Sequence, residues 1–312
     1  LAGRGVDISH VDPARLRCVF TSRQGVLSMK PTIMRSLALF LVILLGVNCF
    51  AQQSPRIDVS HASIQGSTSG GTQVGHVHFP ISCSAAAQEQ FDLGVSMLHS
   101  FFYPETVNTF TKVAEIDPNC AMAYWGIAIS QRPNPLVPPF DPANLKRGYE
   151  AIQKGQALNP KTQREKDWLS ALLLFFKDTD KIDQTTRAKL YARAMEQLHM
   201  RYPEDTEAAV FYALSLLETA SLADKTYSNQ LQAVAILEKI AARQPDHPGV
   251  VHYLIHSDDY QPLAARGLPS ADKYANIAPS APHAQHMPAH IYSMLGMWEE
   301  SIKSNQSSLV VA

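Results

Sequence analysis

Two pairs of the form His-x-x-x-His stand out in this chain, His252 with His256 and His286 with His290, and each member lies 34 residues from its counterpart. Imidazoles at i and i+4 share one face of a helix and can bind one metal ion together. Asp259, one turn beyond His256, completes a two-histidine, one-carboxylate set, and His286 with His290 would finish the same site or make another. The predicted metal ligands are therefore His252, His256, Asp259, His286 and His290, and Zn, Cu or Fe is the matching ion. Two other readings stay open. The same histidines, with His283 beside them, could anchor a polar or peptide ligand through hydrogen bonds that change near neutral pH. They could instead pack as satisfied side chains against Tyr253, Tyr260, Tyr292 and Met287. Pro288 stands between His286 and His290 and removes one helical hydrogen bond, so the second pair need not lie on a regular helix.

Elements of fixed length must position these residues. A 34-residue offset is that of a helix-turn-helix unit, so equal offset means equal position on neighbouring units. The tetratricopeptide pattern puts small residues at repeat positions 8 and 20, a large apolar residue near 24 and proline at 32. Leu93-Gly94, Phe110 and Pro118 meet it in the first unit, and prolines 160, 203, 245 and 279 close later helical stretches. Units then begin near residues 87, 121, 163, 206, 248 and 282. The longer second, third and fourth units place their extra Pro-rich and polar residues in loops between helices. The fold predicted is all-α, a right-handed solenoid of antiparallel helix pairs of the tetratricopeptide (TPR) type over residues 87–312, with about six units and the last cut short.

In such a solenoid positions 2, 5, 9 and 12 of each first helix point into the concave surface. That stripe is Gly249, His252, His256 and Asp259 in the fifth unit, and His283, His286, His290 and Ser293 in the sixth. At the other end it is apolar and includes Phe91 and Trp125, which read either as core or as the wall of a peptide groove. Asp246 with Pro248, and Ser280 with Pro282, are helix-start signals for the two histidine-bearing helices.

Net charge is −1 with no basic run in the body of the chain, which gives nucleic acid no electrostatic foothold. No phosphate-cradling glycine loop, Gly-x-Ser-x-Gly elbow or His-Glu-x-x-His motif is present. Met34-Arg35-Ser36, the apolar run Leu37 to Val47 and the small Ala51 read as a signal peptide over 34–51, too short to span a bilayer. A lipoprotein cysteine at Cys49 is the lesser reading, because Gly46 and Asn48 fit that signal poorly. Residues 1–33 read as upstream sequence, with Met29 an alternative start, and 52–86 as an extended leader with solvated His61, His76 and His78. Once the signal is removed, Cys83 and Cys120 remain, and pairing or separate burial are both open.

The stretches Phe101-Phe102-Tyr103-Pro104-Glu105, Asp117 to Gly126, His247-Pro248-Gly249 with His252 to His256, and Ala281-Pro282-His283 with His286 to Ile291 carry a resemblance over about residues 75–312. In them the chain resembles a group of exported bacterial tetratricopeptide-repeat proteins with no assigned reaction. The resemblance implies a helical repeat fold and export, hence a periplasmic or secreted protein, and carries over no catalytic residue. The sequence reading is a binding or scaffold protein whose groove holds a peptide, protein or small ligand. The alternative is a metal-dependent hydrolase or oxidoreductase built on the histidine cluster.

Overall fold

A computed structural model of the chain describes residues 71–103 and 105–312; the expectations for a signal peptide and for the start of the leader lie outside them. Among the described residues there are thirteen helices and no strand. They follow one another as α1 (Ala85–His99) and α2 (Glu105–Ile116), α3 (Ala121–Ile129) and α4 (Pro142–Ala157), α5 (Gln163–Phe176) and α6 (Gln184–Arg201). Next come α7 (Thr206–Glu218) and α8 (Ser228–Ala241), then α9 (Pro248–Asp258) and α10 (Ala264–Ile277). The chain ends with two short helices, α11 (Pro282–His286) and α12 (Pro288–Met294), and α13 (Trp298–Val311). None of these is long and apolar enough to cross a membrane.

Local chemistry sets the boundaries. Asp141, Asp183 and Asp205 accept a backbone N–H of the first turn of α4, α6 and α7, each contributing about 1 kcal/mol. Thr162 and Glu165 form a reciprocal capping box on α5. The helix-start signals near the histidines work differently from the sequence expectation. His247, not Asp246, caps α9, its Nδ1 accepting from Val250 N–H at 3.3 Å. Ser280 leaves α11 uncapped and bonds to Gln73 instead.

Consecutive helices pack against one another, and the first helices of the pairs share one core. Phe91 on α1, Trp125 on α3, Trp168 on α5 and Phe211 on α7 are all buried and meet ring to ring. The row also curves far enough for α1 to touch α9. That contact depends on Gly249, where an added Cβ would sit 2.5 Å from the His99 ring. At Gly126 a Cβ would fall 2.2 Å from the Phe110 ring, so this close approach of α3 to α2 also needs the bare backbone.

Residues 71–84, ahead of α1, form neither helix nor strand and pack against the first helices of the pairs. Phe79 is fully buried, with its ring centroid 5.4 Å from Phe91, 5.2 Å from Trp125 and 4.7 Å from Trp168. Arg164 stacks over Phe79 and donates to Pro80 O, and the Glu165 carboxylate accepts from Ser82 N–H and Oγ–H. Gln73 exchanges hydrogen bonds with Ser280 at the other end of the row. Cys83 and Cys120 are disulfide-bonded, which settles the pairing left open by the sequence and ties the leader to the start of α3. His76 and His78 are exposed although the segment that carries them is packed down, and His78 Nδ1 meets Asp92 Oδ2 at 3.0 Å.

Candidate metal centre

His252 and His256 come from α9, His283 and His286 from α11, and His290 from α12. The chain between the last two is interrupted at Met287, where Pro288 starts a new helix. Even so the five rings converge. His252 Nε2 lies 3.1 Å from His283 Nε2, and His286 Nε2 lies 3.1 Å from His290 Nε2. His256 stands between the pairs, its ring centroid 4.7 Å from His252, 6.3 Å from His283 and 6.1 Å from His290. Phe101 meets His252 edge-on at 4.6 Å and stacks with His283 at 5.2 Å, while Tyr274 stacks with His252 at 5.1 Å. Aromatic walls thus restrict how the rings can turn.

The outward nitrogens decide what the inward ones carry. His252 Nδ1 donates to the main-chain oxygen of His99 at 2.6 Å. His290 Nδ1 donates to Asp259 Oδ2 at 2.7 Å. His286 Nδ1 faces Asn305 Oδ1 at 2.7 Å, and Asn305 spends its amide N–H on Ser301 O, so its oxygen is the atom presented to the ring. In the neutral form of these three rings the held Nδ1 carries the proton, which leaves Nε2 as a lone pair directed inward. Two such lone pairs 3.1 Å apart, as on His286 and His290, repel unless a proton or a metal ion stands between them. His256 Nε2 is also buried and has no hydrogen-bond partner.

This is the arrangement in which metal-ligating histidines occur: one nitrogen held by a carboxylate, carbonyl or amide, the other left free for the ion. Nitrogens 3.1 Å apart subtend about 95° at an ion 2.1 Å from each, a usable angle for a borderline transition metal. One ligand nitrogen from each of His252, His256 and His283 lies within 4.8 Å of the others. Burial, then the neighbouring imidazoles, drive the His252 and His256 rings well below the ordinary histidine range, and the same causes bring His283 down to about 3. These rings are therefore unprotonated at neutral pH and able to act as ligands.

A second buried cluster, which sequence reasoning missed, has a different character. His99 Nε2 and His247 Nε2 each donate to one oxygen of Glu207, both at 2.8 Å. Their Nδ1 atoms accept from Tyr253 Oη–H at 2.9 Å and from Val250 N–H. All three residues are fully buried, and every polar atom of the two rings is paired. Burial pushes the Glu207 carboxyl up, but the two ring donors outweigh it and hold the group well below the usual carboxylate range. With no free lone pair aimed at a common point, this cluster is a hydrogen-bonded brace joining α1, α7 and the start of α9.

The residues predicted from the sequence are distributed as follows. His252, His256, His286 and His290 come together. Asp259 does not join them as a ligand: its Oδ2 accepts from His290 Nδ1, on the far side of that ring from Nε2. His283, predicted as a ligand-contacting residue only, stands among the possible metal ligands. Phe91 and Trp125 are fully buried beneath Phe79, so they pack the core and do not wall an open groove. Asn305 and the His99 carbonyl were not anticipated; neither lies within helical reach of the ring it orients, so no local spacing reveals them. No family model matches the sequence, and no curated protein matches it either.

Proposed function

We propose that this chain is an exported helical-repeat protein of the tetratricopeptide type whose working site is the histidine centre, and that the centre binds a borderline transition metal, Zn or Cu. One observation carries the reading: two pairs of inward Nε2 atoms face one another at 3.1 Å, while the outward Nδ1 atoms of His252, His286 and His290 are held by hydrogen bonds. An all-imidazole donor set suits Zn, Cu, Ni or Fe and disfavours Mg and Ca, which require oxygen. His286 and His290 are only half-buried, so an ion beside them would remain open to a small molecule. That keeps a metal-dependent reaction within reach of the site. Helix starts at residues 121, 163, 206, 248 and 282, the positions from which the sequence pattern counts its units, support the repeat assignment. The Cys83–Cys120 disulfide supports an oxidising compartment, consistent with export to the periplasm or beyond.

A peptide-binding groove is the weaker reading, because the inner face at its apolar end is already filled by the chain's own residues around Phe79. Elemental analysis of tag-free protein grown in metal-replete medium tests the metal reading. Stoichiometric Zn or Cu is expected, with loss in a His252→Ala, His283→Ala double variant. Protein that is metal-free after such growth, and that takes up neither ion on titration, refutes it.

A further inference from the structure

We propose that His286 and His290 form a second metal site beside the one made by His252, His256 and His283, so that the centre holds two ions of unequal affinity. The inference rests on the metal reading of the first three histidines. Its own ground is the separate Nε2 pair at 3.1 Å, in which both rings have their outward nitrogen held, one by Asn305 and the other by Asp259.

One ion shared by all five rings does not fit this arrangement. Nitrogens bound to a single ion at about 2.1 Å can be no more than about 4.2 Å apart. Among the described residues, the set of histidine nitrogens lying within 4.8 Å of one another at this centre stops at His252, His256 and His283. The rings of His283 and His286 are 6.0 Å apart, centroid to centroid. A metal ion held by His286 and His290 would therefore be a separate one.

The two sites differ in predictable ways. The first has three imidazoles, with His252 fully buried. The second has two, and no third His, Cys, Asp or Glu donor among the described residues stands within 4.8 Å of both. With both residues half-buried, its remaining positions would fall to water or a small anion. Fewer protein ligands and greater exposure make the second ion the more weakly held and the more exchangeable, and a pair of neighbouring ions with solvent positions is a frame for polarising a small oxygen-containing ligand.

Titration of Zn(II) into metal-free protein, followed by calorimetry and by elemental analysis after desalting, separates the outcomes. Two ions per chain in two resolved steps are expected. A His286→Ala, His290→Ala double variant should lose the weaker step and keep the tighter one unchanged, with Tm and far-UV circular dichroism reporting its fold. Asn305→Leu removes only the acceptor that orients His286, and should weaken the second step about 10- to 100-fold. Uptake of a single ion by the wild-type chain, or two ions still bound by the double variant, overturns the second site and leaves the first. No ion in the wild type overturns both.

Discussion

Substituting Glu207 by Gln would distinguish a hydrogen-bonded brace from a metal site at the cluster formed with His99 and His247. The carboxylate accepts two ring N–H bonds of 2.8 Å, whereas an amide of the same shape offers one oxygen and one N–H₂. The N–H₂ must face a ring that has moved its proton to Nδ1. For His247 that would set a donor against Val250 N–H, so the exchange falls on His99, whose Nδ1–H then points at Tyr253 Oη. The Tyr253 hydroxyl can accept that bond, but its own proton is left buried without a partner. One unsatisfied buried donor costs about 1–3 kcal/mol, and for a folded unit of this size each kcal/mol lowers Tm by about 2–4 °C. A fall of roughly 2–12 °C is expected, measured by thermal unfolding. Metal content should not change, because the bond from the cluster to His252 runs through the His99 main-chain oxygen, which no tautomer alters. Glu207→Gln protein that keeps the wild-type Tm but loses its metal would refute the reasoning and make Glu207 a ligand.

Other perturbations follow from the same geometry. Saturating Zn(II) at 100 times its Kd should stabilise the protein by about 2.7 kcal/mol, read as a rise in Tm that is absent in the His252→Ala, His283→Ala variant. Acid should destabilise metal-free protein. Burial holds His99 and His252 below the ordinary 6.5, so below that pH the unfolded chain binds more protons than the folded one. Stability is then full above pH 6.5 and falls on acidification by about 1.4 kcal/mol per pH unit for each ring, which urea melts at pH 7.5 and 5.5 would show. A slope near zero would mean that the rings are not buried as neutral imidazoles. Gly249→Ala should destabilise by about 1–3 kcal/mol through its clash with His99, although Ala is the better helix former. Phe79→Ala should cost about 3–5 kcal/mol in denaturant unfolding, since the ring fills the space between Phe91, Trp125 and Trp168.

Helices and their starts were legible because their signals are local. Proline at 118, 160, 203, 245 and 279 and the polar loops near 131–142, 177–186 and 219–229 act within a few residues of the boundary they set, and the helices begin and end around them. The histidine pairs were legible for a related reason: i, i+4 spacing within α9 and equal offset between units are both arithmetic on the sequence. What holds those rings was not. His252 is oriented by a carbonyl 153 residues away, and Glu207 meets His99 across 108 residues. No periodicity encodes such contacts. Asp259 illustrates the limit well: one turn beyond His256 it has the spacing of a ligand, yet a strong acceptor beside His290 Nδ1 orients that ring instead of binding metal alongside it. The inner face misled for a composition-based reason, because the Ser- and Gly-rich leader gives no hint that the single Phe79 is an anchor.

Linear repeat arrays gain and lose units almost independently, fraying from either tip. In the repeat array proposed for this chain that modularity would be curtailed. A segment that bonds Ser280 through Gln73, 207 residues apart, and is stapled to Cys120 belts the early and late pairs together. Separating the first pairs from α9 and α10 must therefore first unbuckle the belt, and α1–α10 should melt as one cooperative body. The same closure makes assembly wait for the last pairs, so the first described residues to leave the ribosome are among the last to find their seat.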